Sequence, residues 1–296
     1  MSRLDSQIDN RGMRPGRALG SVLIFIISFL LLLFCVDRFF SVFDPVWLDG
    51  IGLYRKVLTA GLVFFVCLVS ALVSRLLCPG LSAARDLGLE EDLPRALKGI
   101  GSGFLTGAVF VTAIISSLFL GGGYEFIAMA KAPDLVPYIL LYFVSAINEE
   151  MVFRGFLFQA LERGFGLRIA FVFASVLFGF AHMMNYIEGA DFSQRILLSA
   201  FLSVEAGFPM TMAFLLTRSI WFAVGIHFAW NFFEGVIYGA NVSGHALDGV
   251  LVEARLTEGI WGGGGVLGPE ATVFNLVFGL LLFYLLWKLK GEKFSI

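Results

Sequence analysis

Eight stretches of this chain are long and apolar enough to cross a lipid bilayer, and that feature narrows the possible folds more than any motif does. A helical span needs about 20 mainly apolar residues at about 1.5 Å of rise each. Residues 19–40, 56–78, 99–120, 137–159, 168–186, 196–217, 219–238 and 271–288 qualify. In hydrocarbon the backbone must satisfy its own hydrogen bonds, which leaves helices or closed barrels, and runs of this length read as helices. The expected fold is therefore all-α, a polytopic transmembrane helix bundle of about eight spans with the lipid bilayer as its solvent. Composition agrees: 58% of the 296 residues are hydrophobic and 15% are charged, against roughly 45–50% and 25% in soluble domains. A net charge of −2 without a basic cluster argues against a nucleic-acid partner.

The chain divides into a polar tail (1–18), N-terminal transmembrane helices (19–136), a core of spans rich in polar residues (137–240), and an outer loop with the last span (241–296). The first apolar run outlasts the 7–15 residues of a signal-peptide core, so it reads as an uncleaved span. Cys35, Cys67 and Cys78 lie in or beside apolar runs without ligand spacing and read as small apolar residues. Residues 85–94 are polar enough for a surface loop or short interfacial helix, and the glycine-rich connection 239–270 is expected to pack over one mouth of the bundle. Lys and Arg fix the orientation. With an even number of spans and the N-terminus inside, inner segments hold 14 of them and outer segments 6, with Arg154 inside the fourth span. Both termini are expected to be cytoplasmic.

An ionisable side chain within a span costs about 2.5–3.5 kcal/mol on insertion scales, so each is a candidate for function. The fourth span carries Glu149, Glu150 and Arg154, the fifth His182, the sixth Glu205, and the seventh His227, Asn231 and Glu234. Glu150 and Arg154 stand four apart and share a helix face, as an ion pair requires. Glu149 is rotated about 100° from Glu150 and points elsewhere. His227 and Asn231 are again four apart, and Phe178 precedes His182 by one turn as a packing wall would. Counted from the span ends at about 1.5 Å per residue, Glu149, His182, His227 and Asn231 converge on one layer near mid-bilayer. A desolvated carboxylate can act as general base toward water. Imidazoles can position that water, shuttle a proton or ligate a metal, and an amide can donate to a developing oxyanion. That set suits amide hydrolysis without a Ser or Cys nucleophile. Glu149, His182 and His227 also supply the residue types of three zinc ligands, which makes Zn the cofactor to test. Glu205 and Glu234 read more simply as buried support for the bundle.

Three segments carry a resemblance. Asn148-Glu149-Glu150-Met151-Val152-Phe153-Arg154-Gly155-Phe156, then Phe178-Gly179-Phe180-Ala181-His182, then His227-Phe228-Ala229-Trp230-Asn231 resemble the three motifs of the CPBP family, the CAAX protease and bacteriocin-processing, or abortive-infection-like, membrane proteases. Asn241-Val242-Ser243-Gly244 and Gly268-Pro269-Glu270 are similar to looser features of its bacterial members. By that resemblance Glu149 activates water with His182, His227 and Asn231 stabilise the oxyanion, and the partner is a membrane-associated protein or peptide substrate. The expected location is the cell membrane, the inner membrane of a bacterium. Two other classes compete: a catalytically silent relative acting as an immunity or scaffold protein, and a transporter. No internal repeat favours the transporter. The oligomeric state is not legible. Reporter fusions after residues 15, 90, 163 and 290 are expected to report the cytoplasm, and fusions near 48, 131, 190 and 255 the outside. An external C-terminus would overturn this orientation.

Overall fold

The structure is a computed structural model that describes residues 14–42, 52–77, 87–130, 135–183 and 187–291. The first 13 residues of the tail, Cys78, Arg85, Asp86, Lys131 and Lys293 lie outside the described residues. Among the described residues eight helical rods follow one another, in register with the eight apolar runs. These are α1 (Pro15–Val42), α2 (Gly52–Leu77), α3 (Leu93–Leu120), α4 (Val136–Phe165), α5 (Leu167–His182), α6 (Phe192–Thr217), α7 (Trp221–Asn231, continued by a wider turn over Phe232–Ile237) and α8 (Val273–Lys290). Six of them are long and apolar enough to cross a membrane by themselves. The chain is a multi-pass membrane protein.

The two short rods are instructive. Helix α5 has 16 residues, about 24 Å, less than a hydrocarbon core of about 30 Å. Helix α7 is short because it lies within protein: Ala223, Val224, Gly225, Ile226, His227, Ala229 and Trp230 are all buried. Apolar side chains cover the outside instead, with Ile27, Leu105, Val109 and Phe173 each more than half exposed, as lipid-facing residues are.

Polar side chains set where the rods begin. Asp92 caps α3 by accepting from the Arg95 N–H at 3.0 Å, with Pro94 in the first turn. Asp191 and Gln194 form a reciprocal capping box on α6. The junction between α6 and α7 is as tight as its sequence suggests: Arg218 adopts a left-handed φ of 57°, and its guanidinium takes Glu162 at the end of α4 in two bonds of 2.8 and 2.9 Å. The polar segment before α3 departs from a plain surface loop. Leu87 within it is completely buried, its backbone lying against Gly155 of α4.

The chain is not purely helical. Tyr124–Met129 (β1), after α3, pairs antiparallel with Val252–Leu256 (β2), in the connection from α7 to α8, with an irregularity between Phe126 and Ala128. This two-stranded ribbon ties the two connections together. The Gly262–Gly265 stretch forms turns beside it, Gly264 and Gly265 having φ of 80° and 57°.

Helices α3 and α7 touch through glycine. A methyl group on Gly103 would lie 2.2 Å from the Phe222 carbonyl oxygen, and one on Gly225 would lie 2.3 Å from that of Ile100. In lipid, where apolar burial gives little drive to association, such close backbone approach is what holds helices together. Gly101, two residues away, faces open space. Gly103→Ala should therefore cost about 1–3 kcal/mol of stability by overpacking, seen as a lowered thermal midpoint in detergent, whereas Gly101→Ala should leave the midpoint unchanged.

Candidate active site

Three of the rods contain turns wider than an α-helix, and each lies beside polar residues. Met151–Leu157 follows Glu149 and Glu150 and contains Arg154; Ser203–Gly207 contains Glu205; Phe232–Ile237 follows Asn231 and contains Glu234. Turns of this kind are rare and occur disproportionately at functional sites.

The two adjacent glutamates address the two nitrogens of one imidazole ring. Glu150 is fully buried, and its Oε1 accepts from Arg154 Nη1 at 3.0 Å. The same oxygen lies 2.9 Å from His227 Nδ1. Glu149 faces the other way, its Oε2 standing 3.8 Å from Nε2 of His227 and 3.8 Å from Nε2 of His182. That oxygen is buried and has no hydrogen-bond partner among the described residues. The separation of Glu149 from Glu150 by about 100° around the helix thus becomes a division of labour across a ring on α7.

Backbone and packing orient both histidines. His182 Nδ1 lies 2.9 Å from the Phe178 carbonyl oxygen. A carbonyl only accepts, so the hydrogen sits on Nδ1 and the Nε2 lone pair of the neutral ring faces Glu149. Phe178 also stacks under Arg154, whose guanidinium carbon is 4.4 Å from the ring centroid, and packs against both imidazoles, with centroids 4.9 Å from His182 and 6.0 Å from His227. Arg154 Nη2 donates to the Gly207 carbonyl at 3.3 Å, which binds α4 to α6. Helix α5 approaches α6 closely at the same level: a methyl group on Gly207 would fall 2.6 Å from the Ser175 carbonyl oxygen.

A pocket opens beside the histidines. Phe178, Leu202, Ala206, Met210 and Trp230 form its apolar wall, while His182, His227 and Asn231 stand at one polar face and Ser243 and Glu270 also line it. Glu149, His182 and His227 are gathered, with Asn231 and Phe178 on the adjoining wall, much as the helical spacing suggests. Glu205 and Glu234 do not line the pocket; each is 1% exposed, and both interact electrostatically with Glu270. Two features escape the sequence reading. The bond between Glu150 and His227 joins residues 77 apart on different helices, and no local spacing announces it. Glu270 enters the pocket from a loop, its Oε2 accepting from the Ser243 N–H at 2.6 Å. The Gly268-Pro269-Glu270 sequence, an acidic residue at sharp turn punctuation just before a span, was the available signal.

For zinc the residue types fit but the arrangement does not: among the described residues, no three His, Cys, Asp or Glu side chains converge as the ligands of a metal ion would. The 3.8 Å separations are beyond direct hydrogen-bond distance, where a bridging water is the contact to consider.

Comparison with known proteins gives a family match. Residues 131–233 match the family model for type II CAAX prenyl endopeptidase Rce1-like proteins, a segment that contains Glu149, His182, His227 and Asn231 and agrees with the resemblance of the three motifs. No curated protein and no solved structure matches the chain.

Glu150 and Arg154 both have fully buried side chains, so removing one charge strands the other. Glu150→Gln should cost about 3–5 kcal/mol, and the double change Glu150→Gln with Arg154→Met should recover part of it. Thermal unfolding in detergent measures both. A Glu150→Gln protein as stable as the parent would refute the pairing.

Proposed function

We propose that this protein is an intramembrane endopeptidase that hydrolyses a peptide bond of a membrane-associated protein or peptide, with Glu149 as the general base. The observation that carries the reading is the buried, unpaired Oε2 of Glu149, set 3.8 Å from two imidazole nitrogens. A carboxylate oxygen and the bare Nε2 of His182 are both acceptors, so they cannot bond to each other, but a water molecule can donate to both. The match of residues 131–233 to a protease family supports the same chemistry.

In this reading Glu149 takes a proton from the water as its oxygen attacks the carbonyl carbon of the scissile bond. The developing oxyanion accepts from the Asn231 amide and from His227 Nε2–H when that ring carries a proton on each nitrogen. Glu150, held by Arg154, fixes the ring through Nδ1, a positioning role. Glu149 then returns its proton to the amide nitrogen as the carbon–nitrogen bond breaks, releasing a carboxylic acid and an amine. Helix depth supports attack near mid-bilayer, where competing water is scarce. We place the protein in the bacterial inner membrane with both termini in the cytoplasm.

Glu149→Gln is nearly isosteric and should lower turnover of a membrane peptide by about 10² or more with an unchanged thermal midpoint. An active Glu149→Gln enzyme would overturn the assignment. The same assay decides the part of zinc, for which Glu149, His182 and His227 are the residues of ligand type. Equimolar zinc whose removal abolishes cleavage would assign it, and full activity in metal-free protein would remove it from the reaction.

A further inference from the structure

The ribbon of β1 and β2 has two unlike faces. In its register Tyr124, Phe126 and Met129 stand opposite Leu256, Ala254 and Val252, while Glu125 stands opposite Arg255. Successive residues of a strand point to opposite faces. The irregularity around Ile127 adds one residue to β1 and so returns Met129 to the face of Phe126. One face is therefore apolar across both strands. The other carries Glu125, Glu253 and Arg255, with Arg255 donating to Glu125 at 3.2 Å. Tyr124, at one end of the apolar face, is buried and donates its hydroxyl to the Tyr238 carbonyl at 2.7 Å. Further along the same face Phe126 is 50% and Met129 62% exposed.

Among the described residues outside the helices, the large apolar side chains left exposed are Phe126, Ile127 and Met129 of β1 and Trp261, which is 73% exposed. Trp261 belongs to the same end of the molecule. It precedes Gly262, against whose backbone Gly123 packs closely, and Gly123 immediately precedes β1. The same turn meets two spans at their ends. Gly123 lies three residues beyond Leu120, the 85%-exposed last residue of α3, and accepts from the Thr257 N–H at 3.0 Å. Val273, the first residue of α8, donates to the Ile260 carbonyl at 2.9 Å. Trp261 thus stands at the level where one span ends and another begins, and tryptophan collects at that level in membrane proteins. We propose that the ribbon lies flat in the headgroup region of the bilayer, with Phe126, Met129 and Trp261 among the upper acyl chains and Glu125, Glu253 and Arg255 toward water. Lipid is the occupant because the apolar surface continues the lipid-facing end of α3, where Phe119 and Leu120 are exposed, and because these charges all lie on the opposite face. An amphipathic helix rests in the interface for the same reason. The ribbon fixes the depth of the connections between α3 and α4 and between α7 and α8, whatever chemistry the pocket performs.

The test uses the full-length protein, one copy per phosphatidylcholine nanodisc, with Cys35, Cys67 and Cys78 replaced by Ala. A nitroxide label is placed at Met129→Cys or, on the opposite face, at Glu253→Cys. Its collisions with oxygen, which dissolves in lipid, and with a water-soluble nickel chelate are then measured. The ratio of oxygen to nickel collisions should be at least about tenfold higher at position 129 than at position 253. Equal ratios would put both faces in water and overturn the proposal. A label at 129 that neither reagent reaches would overturn it too, since protein would then cover that face. Should the cysteine-free protein fail to fold, Trp261→Phe in the otherwise native chain gives the same answer by fluorescence. The emission lost in that variant should be quenched at least about twofold by lipid brominated on the upper acyl carbons. Emission from Trp261 that brominated lipid leaves unchanged would refute the placement.

Discussion

One guanidinium in the apolar interior organises the centre of this protein. Arg154 has no exposed surface and meets Glu150 on its own helix, the Gly207 carbonyl on α6 and the face of Phe178 on α5. Through Glu150 it reaches His227 on α7. Four helices are thereby referred to one charge. In a medium where an unpaired ion costs several kcal/mol, each of these contacts is needed by the others, and the chain has few ways to satisfy Arg154 that do not also align His227. Stability and orientation of the ring are therefore one requirement.

The polar groups can meet only because the helices carrying them come unusually close. Gly103 and Gly225 allow α3 to press against α7, and Gly207 allows α6 to press against α5. With α7 wrapped by protein along nearly its whole length, the imidazole and amide it carries are shielded from lipid. The low dielectric strengthens the interactions among Glu149, the two histidines and any charge that develops between them.

Much of this was legible in the sequence because helices are periodic and ions in lipid are costly. Those two facts yield eight rods, the pair Glu150–Arg154, and a Glu149 turned from its neighbour toward the histidines. The helical step between His227 and Asn231 puts both on the pocket wall. Contacts between elements distant in the chain were not legible. Nothing local in the sequence says that His227 Nδ1 meets Glu150, that Glu270 returns from a loop to the pocket, that Leu87 is buried in a charged segment, or that β1 pairs with β2.

The three wide turns carry a consequence for comparing related chains. A π turn is in effect one residue more than an α-helix needs, and everything beyond it is rotated by about 100° relative to an uninterrupted helix. Met151–Leu157, Ser203–Gly207 and Phe232–Ile237 therefore behave as phase shifts that let one rod turn a polar side chain inward and still keep its oily face toward lipid. Losing a single residue within any of them would make the helix more regular and put its two halves out of step with their neighbours. In an alignment, a one-residue gap there is a rotation rather than a shortening, and it marks a homologue whose polar centre is assembled differently even when every motif residue is retained.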